Sequence, residues 1–194
     1  MRLLLLLFLL AAPLAYAQSD RYRIEVIVFA YNNPDANAAL TKDDADPDFD
    51  GMLMGAGGEI YSVLAGEQRQ LTGAFDALAR HARTRALVHT AWIQDASNRS
   101  VRLRGEKTVE GGDAARGVLA ASMPELDGDI QVRIGRGIEV DLDAMLRAPV
   151  SGELVRYRLK QKRVVLAGEV HYFDHPALGV IVRVDPLPPS DAVP

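Results

Sequence analysis

Alternating apolar and polar residues predict that most of this chain forms β-strands. The clearest run is 22–31, where alternate residues from Tyr22 to Val28 are apolar and 26–30 is apolar on both faces. A strand that is apolar on both faces is typical of the middle of a sheet. Similar runs predict further strands at 86–92, 101–104, 130–134, 138–142, 154–166 and 179–185.

One segment has helical spacing instead. Leu71, Phe75 and Leu78 recur every three or four residues, which predicts the main helix at about 71–84. Thr72 stands at its start, where a hydroxyl can cap free backbone amides. One helix followed by several hairpin strands predicts an α+β fold, with a single domain built on a mostly antiparallel sheet.

The two ends of the chain predict segments outside this domain. Residues 1–17 combine a positive start, an apolar run and small residues at Ala15 and Ala17, which is the pattern of a secretory signal peptide. The apolar run is shorter than the roughly 20 residues that span a bilayer. We therefore expect cleavage after Ala17 and no membrane span in the mature chain. The domain is then 18–186, and the proline-rich segment 187–194 is a mobile tail.

Two internal segments have no clear periodicity. Residues 32–60 hold seven acidic residues and one basic residue, together with Pro and Gly, which predicts a long acidic surface loop. Residues 106–125 contain Gly111 and Gly112 and several alanines. Their pattern leaves a loop and a short helix open.

Composition removes several classes of function. The chain has no cysteine, which excludes disulfides, thiolate metal sites, cysteine nucleophiles and acylation as a lipoprotein. Its net charge of −4 gives a nucleic-acid partner no overall electrostatic support. The sequence also lacks the serine-hydrolase elbow, the zinc-protease helix motif, the phosphate loop and the dinucleotide fingerprint. These absences favour a non-enzymatic protein without a cofactor.

The acidic loop contains the opening of a calcium-binding loop. Asp46, Asp48 and Asp50 occupy its first, third and fifth positions, and Gly51 follows at the sixth. The twelfth position, which needs a bidentate Glu, is Gly57. The sequence therefore leaves two alternatives open, a solvated acidic loop and a looser calcium site.

A second candidate site is a polar and aromatic cluster near the C-terminus, here called the 171–175 corner. It consists of His171, Tyr172, Asp174 and His175. On a helix the two histidines would share a face and could bind zinc, but Pro176 and the preceding strand pattern disfavour a helix. The alternatives are a strand-to-turn corner held by Asp174, and a ligand site that uses the ring and the polar groups.

A third candidate is a row of basic residues, here called the basic ladder. Arg156, Arg158, Lys160 and Lys162 are spaced by two, so on a strand they share one face. Such a face usually meets solvent, but it also suits anions such as carboxylates and phosphates. A hairpin could bring the ladder next to the 171–175 corner.

Several segments together resemble one family. The most specific is 168–182, which contains His-Tyr-Phe-Asp-His-Pro, and the others are 22–30, 88–94 and 126–142. They resemble the CsiV-type periplasmic proteins, which are described as peptidoglycan-binding. The resemblance implies a non-enzymatic role in cell-wall synthesis. It also implies action through an outer-membrane lipoprotein that activates a bifunctional penicillin-binding protein.

These observations combine into one hypothesis with two alternatives. We hypothesise a peptidoglycan-binding surface on which the basic ladder attracts stem-peptide carboxylates and the 171–175 corner supplies aromatic and hydrogen-bonding contacts. The first alternative is a peptidoglycan-modifying, metal-dependent enzyme that uses the corner. The second is a calcium-stabilised structural module that uses residues 46–50.

We expect the mature protein to begin at Gln18 and to occur free in the periplasm, because residues 1–17 have the order of a cleaved signal. N-terminal sequencing and the intact mass of the exported protein check this. A retained leader that sediments with membranes would contradict it.

Overall fold

Twelve strands and one α-helix form the part of the chain that the computed structural model describes. That part comprises residues 21–41, 44–54, 61–95, 97–113, 118–150 and 153–188. The predicted signal peptide at 1–17 and residues 189–194 of the predicted tail lie outside it. Within it, no helix is long and apolar enough to cross a membrane.

The first of two large sheets is entirely antiparallel and has the order β11-β12-β1-β4-β3. Strand β1 lies in its middle, as the two-sided apolar pattern predicted. The strands are β1 (Tyr22–Tyr31), β3 (Ser62–Val63), β4 (Thr84–Gln94), β11 (Val170–His175) and β12 (Leu178–Pro186).

The second large sheet has the order β10-β9-β8-β5-β2, and only the short β2 runs parallel to its neighbour. Its strands are β2 (Met52–Leu53), β5 (Ser100–Arg104), β8 (Leu126–Ile134), β9 (Ile138–Val150) and β10 (Glu153–Val165). Strand β2 is supplied by the acidic loop (32–60). In the described residues of this loop, 32–41 and 44–54, the other regular element is a 3-10 turn at Ala36–Ala38.

The segment 106–125 forms neither of the two structures that its sequence left open. It contains a third, two-stranded sheet, made of β6 (Thr108–Asp113) and β7 (Val118–Pro124). Glycine and alanine carry little strand preference, so the pairing of the two segments is invisible in their local pattern.

The two large sheets pack face to face around one apolar core. Side chains of one face of β1 and β12 meet side chains of β8, β9 and β10, and all belong to a single buried cluster. Alternation along each strand explains this, since every second residue points into the core. In the described part of the chain, the mostly antiparallel architecture with one α-helix is therefore confirmed, but this part is richer in strands than predicted and has two stacked sheets.

Helix α1 (Thr72–Arg80) packs over β4 on the side of the first sheet that faces away from the core. It is shorter than the predicted 71–84, because Thr84 already pairs with Tyr31 as the first residue of β4. The Thr84 hydroxyl donates to the carbonyl of Leu78 at 2.7 Å, and the Asn32 amide donates to the carbonyl of Arg83 at 2.9 Å. These bonds turn the chain from helix into strand.

The start of α1 is held by a buried carboxylate of β1, so the predicted cap by Thr72 is wrong. Glu25 is 1% exposed, and its two oxygens accept hydrogen bonds of 2.8 Å from the amides of Gln70 and Leu71. His89 on β4 places Nε2 2.7 Å from the same carboxylate. A negative charge is favourable here because the free amides of a helix start carry partial positive charge.

We expect Glu25→Ala to lower the free energy of unfolding by about 2–4 kcal/mol, because it leaves the buried amide of Leu71, the part-buried amide of Gln70 and the imidazole of His89 without their acceptor. Urea unfolding measures this. Glu67→Ala removes an exposed acid near the same helix and serves as the control, with an expected change within about 0.5 kcal/mol. Equal stability of the two variants would contradict the assigned role of Glu25.

Candidate functional site

The basic ladder lies on the face of β10 that points away from the core, where acids of β9 neutralise it. Arg158 makes two hydrogen bonds to Asp143, of 2.8 and 2.6 Å. Lys160 lies 3.4 Å from the same carboxylate, and Lys162 lies 3.0 Å from Glu139. Antiparallel pairing of β9 and β10 puts these acidic and basic positions on one face, so each row screens the other.

The first residue of the ladder, Arg156, is bound by the acidic loop. Its guanidinium donates to Asp46 at 2.7 Å and to the carbonyls of Asp44 and Thr41. Arg147, whose side chain is 7% exposed, donates to the other oxygen of Asp46 at 2.8 Å. Partial burial opposes ionisation, but the hydrogen bonds from the two arginines hold the pKa of Asp46 below its ordinary value.

The possible calcium site is therefore engaged in other contacts. Both oxygens of Asp46 accept from guanidinium groups, so a cation would have to displace those bonds. The backbone amides of Asp50 and Gly51 donate to the carboxylate of Asp129, at 3.0 and 3.1 Å. Burial raises the pKa of Asp129. These contacts fasten the acidic segment to the outside of the second sheet.

The 171–175 corner is strand β11, at the edge of the first sheet. His171 and His175 stand four residues apart on an extended strand, roughly 13 Å along its axis, and not on the helix that a shared zinc ion would need. Nε2 of His171 accepts from the amide of Leu166 at 3.0 Å. Among the residues that the structure describes, no three His, Asp or Glu side chains group in a way that could hold a metal ion.

The ladder and the corner do not share a surface. Gln161 and Arg163 project from the other face of β10 and reach β11, where they donate to the carbonyls of Asp174 and Tyr172. Arg163 also lies over the ring of Phe173, 4.5 Å from its centroid. The corner thus meets β10 on the face opposite the ladder, and the hypothesis of one combined surface is not supported by the geometry.

An aromatic cluster forms on the outside of the first sheet beside the corner. The rings of Phe29 and Tyr172 are nearly parallel, with centroids 6.1 Å apart, and they lie over the backbone of Gly179. Gly179 pairs with Phe29 on one side and with Asp174 on the other. A Cβ at this position would overlap the Phe29 ring and lie 2.7 Å from the Tyr172 ring, so only glycine admits both rings.

Two tyrosine hydroxyls and a carboxylate complete this cluster. Tyr172 donates to Oδ1 of Asp174 at 2.6 Å, and the hydroxyls of Tyr172 and Tyr31 are 2.7 Å apart. Burial raises the pKa of Tyr172, and its hydrogen bonds to Asp174 and Tyr31 act in the same direction. Tyr172 therefore remains a neutral donor that fixes the Asp174 carboxylate in place.

The cluster borders two depressions, which share Tyr31. The first, here called the Tyr31 site, has a volume of about 380 Å³ and is lined by Tyr31, Asn33, Arg83, Asp174, His175 and Pro176. The second, here called the apolar groove, has a volume of about 320 Å³ and is lined by Phe29, Tyr31, Ala77, Leu78, His81 and Thr84. Two polar residues of the predicted corner thus face a cavity together with residues from β1 and from the turn after α1.

Several of these residues were not singled out in the sequence. Tyr31 and Arg83 come together only because β1 pairs with β4, a contact between distant segments. Gly179 did carry a signal, since it interrupts a run of valine, isoleucine and leucine, and an isolated glycine in a strand indicates a close approach of other groups.

We expect Gly179→Ala to displace the Phe29 and Tyr172 rings and to cost about 1–3 kcal/mol of stability through overpacking. Near-UV circular dichroism reports the tyrosine environment, and urea unfolding reports the stability. Gly135→Ala is the control, because a Cβ there would meet no atom within 4 Å. Indistinguishable spectra and stabilities of the two variants would show that the rings do not depend on Gly179.

A family of known proteins resembles this chain. No curated protein and no solved structure matched the chain. A family model described as "Peptidoglycan-binding protein, CsiV" matches residues 59–187. The match includes α1, β4 and the whole of β11 and β12, with Arg83, Asp174 and Gly179. This chain belongs to the CsiV peptidoglycan-binding protein family.

Proposed function

We propose that this chain binds peptidoglycan in the periplasm, without catalysing a reaction, and that the Tyr31 site provides the contact. The family match over 59–187 carries the proposal, because the family is described as peptidoglycan-binding. Of the residues that line the Tyr31 site, Arg83, Asp174, His175 and Pro176 lie within the matched range.

The chemistry of the Tyr31 site suits a glycopeptide. Tyr31 lines the site, and Tyr172, which is 41% exposed, lies next to it with its hydroxyl 2.7 Å from that of Tyr31. Sugars and peptide groups commonly bind to such aromatic and hydroxyl surfaces. Asn33, Arg83 and Asp174 add donors, an acceptor and both signs of charge. Such a site can bind an uncharged glycan and a charged peptide at the same time.

The role in wall synthesis is a second part of the proposal. We propose that the chain is an adaptor between peptidoglycan and an outer-membrane lipoprotein that activates a bifunctional penicillin-binding protein. The support for this partner is the family resemblance alone. No comparable observation favours a metal-dependent reaction. The calcium-stabilised module is disfavoured because Asp46 is bound by two arginines.

Cosedimentation of residues 18–194 with purified sacculi tests binding. We expect the intact chain to pellet with sacculi and the double variant Tyr31→Ala, Tyr172→Ala to lose most of this binding, at least about fivefold, because it removes the ring that lines the cavity and the neighbouring hydroxyl that holds Asp174.

The matched control is Lys160→Gln, Lys162→Gln, which changes two exposed residues of the basic ladder. We expect its binding to be unchanged, because acids of β9 already neutralise these lysines. The reverse result, with binding lost in the lysine variant and kept in the tyrosine variant, would place the contact on the ladder. Failure of the intact chain to pellet would contradict the proposed function itself.

A further inference from the structure

Two opposite charges line the Tyr31 site without neutralising each other. Asp174 and Arg83 are both exposed and both line this cavity. Oδ1 of Asp174 accepts from Tyr172 at 2.6 Å and from Tyr31 at 3.5 Å, while Oδ2 has no hydrogen bond to any described residue. Arg83 makes no side-chain ion pair within the described part of the chain. The cavity therefore offers an anchored carboxylate and an available guanidinium to a ligand.

The position of Arg83 at the cavity edge is built into the fold. Its carbonyl accepts from the amide of Asn32 at 2.9 Å, and the side-chain amide of Asn32 donates to the neighbouring carbonyl of Ala82 at 2.9 Å. Asn32 directly follows Tyr31, so the turn after α1 is fastened to the end of β1. This bond network keeps the backbone of Arg83 beside the tyrosines.

A third polar group, His175, belongs to the same cavity. Burial lowers its pKa, against the opposing effect of Asp174, so the ring is neutral at neutral pH. Its Nδ1 accepts from the amide of Ala177 at 3.1 Å, which leaves the proton of the neutral ring on Nε2. His175 is therefore a donor of hydrogen bonds, and together with Arg83 it suits a carboxylate.

The apolar groove extends the cavity beyond the shared Tyr31. Its walls include Phe29, Ala77 and Leu78, which can cover a short aliphatic chain. The complementary ligand thus has three parts: an ammonium for Asp174, a carboxylate for Arg83 and His175, and aliphatic carbon for the groove.

We propose that the Tyr31 site recognises a zwitterionic amino-acid end, in which one carbon carries both a free ammonium and a free carboxylate. In peptidoglycan this group is the free side-chain end of the diamino acid in an uncrosslinked stem peptide. A crosslink at that amine, in the stem that acts as acceptor, converts the ammonium into an amide and removes its charge. The site therefore selects stems whose diamino acid carries no crosslink. This inference rests on the proposed function, because it names the part of peptidoglycan that the site binds.

Calorimetric titration with three soluble disaccharide-tetrapeptides tests the inference. The first has a free meso-diaminopimelate end, the second is acetylated on that amine, and the third is amidated on that carboxylate. We expect the intact chain to bind the first at least about tenfold more tightly than either other ligand, since each change removes a charge-assisted hydrogen bond.

Two variants test which residue recognises the ammonium and which recognises the carboxylate. Asp174→Asn should bind the free and acetylated ligands equally, and Arg83→Gln should bind the free and amidated ligands equally. Arg80→Gln is the matched control, because Arg80 is an exposed arginine in the last turn of α1 and lines neither depression. It should keep both discriminations. Equal affinities of the intact chain for all three ligands would overturn the inference.

The sacculus assay separates this result from the proposed function. Binding to sacculi with equal affinity for the three ligands overturns the zwitterion inference and leaves peptidoglycan binding in place. Titration of free meso-diaminopimelate tests the opposite case, in which the site binds the amino-acid end but the protein does not bind peptidoglycan. If the intact chain binds it and Asp174→Asn does not, while sacculi fail to pellet the protein, the site chemistry stands and the proposed function is wrong.

Discussion

The buried carboxylate of Glu25 is the interaction on which the candidate site depends. It joins the centre of the first sheet to the start of α1 by two backbone hydrogen bonds and to β4 through His89. A charge that is 1% exposed is tolerable only when several donors surround it. Glu25 thus fixes where α1 begins, and the bonds of Thr84 and Asn32 fix where the chain leaves the helix for the turn that carries Arg83.

The second sheet uses its charges in a different way. Its outer face pairs Arg158 with Asp143, Lys162 with Glu139 and Arg102 with Asp127. These ion pairs between neighbouring strands neutralise most of the charge on that face. The acidic segment adds Asp46, bound by two arginines. A long basic row in the sequence therefore produces little free positive surface. At the Tyr31 site, Asp174 and Arg83 form no ion pair with any residue that the structure describes, so both charges are available to a ligand.

The elements with strong local signals were predictable, and the site was predictable only in part. The two-sided apolar pattern of β1 indicated a central strand, and the spacing of Leu71, Phe75 and Leu78 indicated the helix. The basic ladder was correctly placed on one strand face, but its partners are on β9 and, for Arg156, in the acidic loop, which no local pattern reveals. Tyr172, Asp174 and His175 stood out by composition.

The Tyr31 site also cannot be separated from the sheet that builds it. Strands β12 and β4 both pair with β1 and not with each other, so β1 alone joins the two halves of the first sheet. The same strand brings Phe29 and Tyr31 beside the corner, although it lies outside the matched range 59–187. Asp174 comes from one half of the sheet and Arg83 from the turn that enters the other half. The cavity exists only where β1 joins them, so the stability of the sheet and the geometry of the site have the same cause.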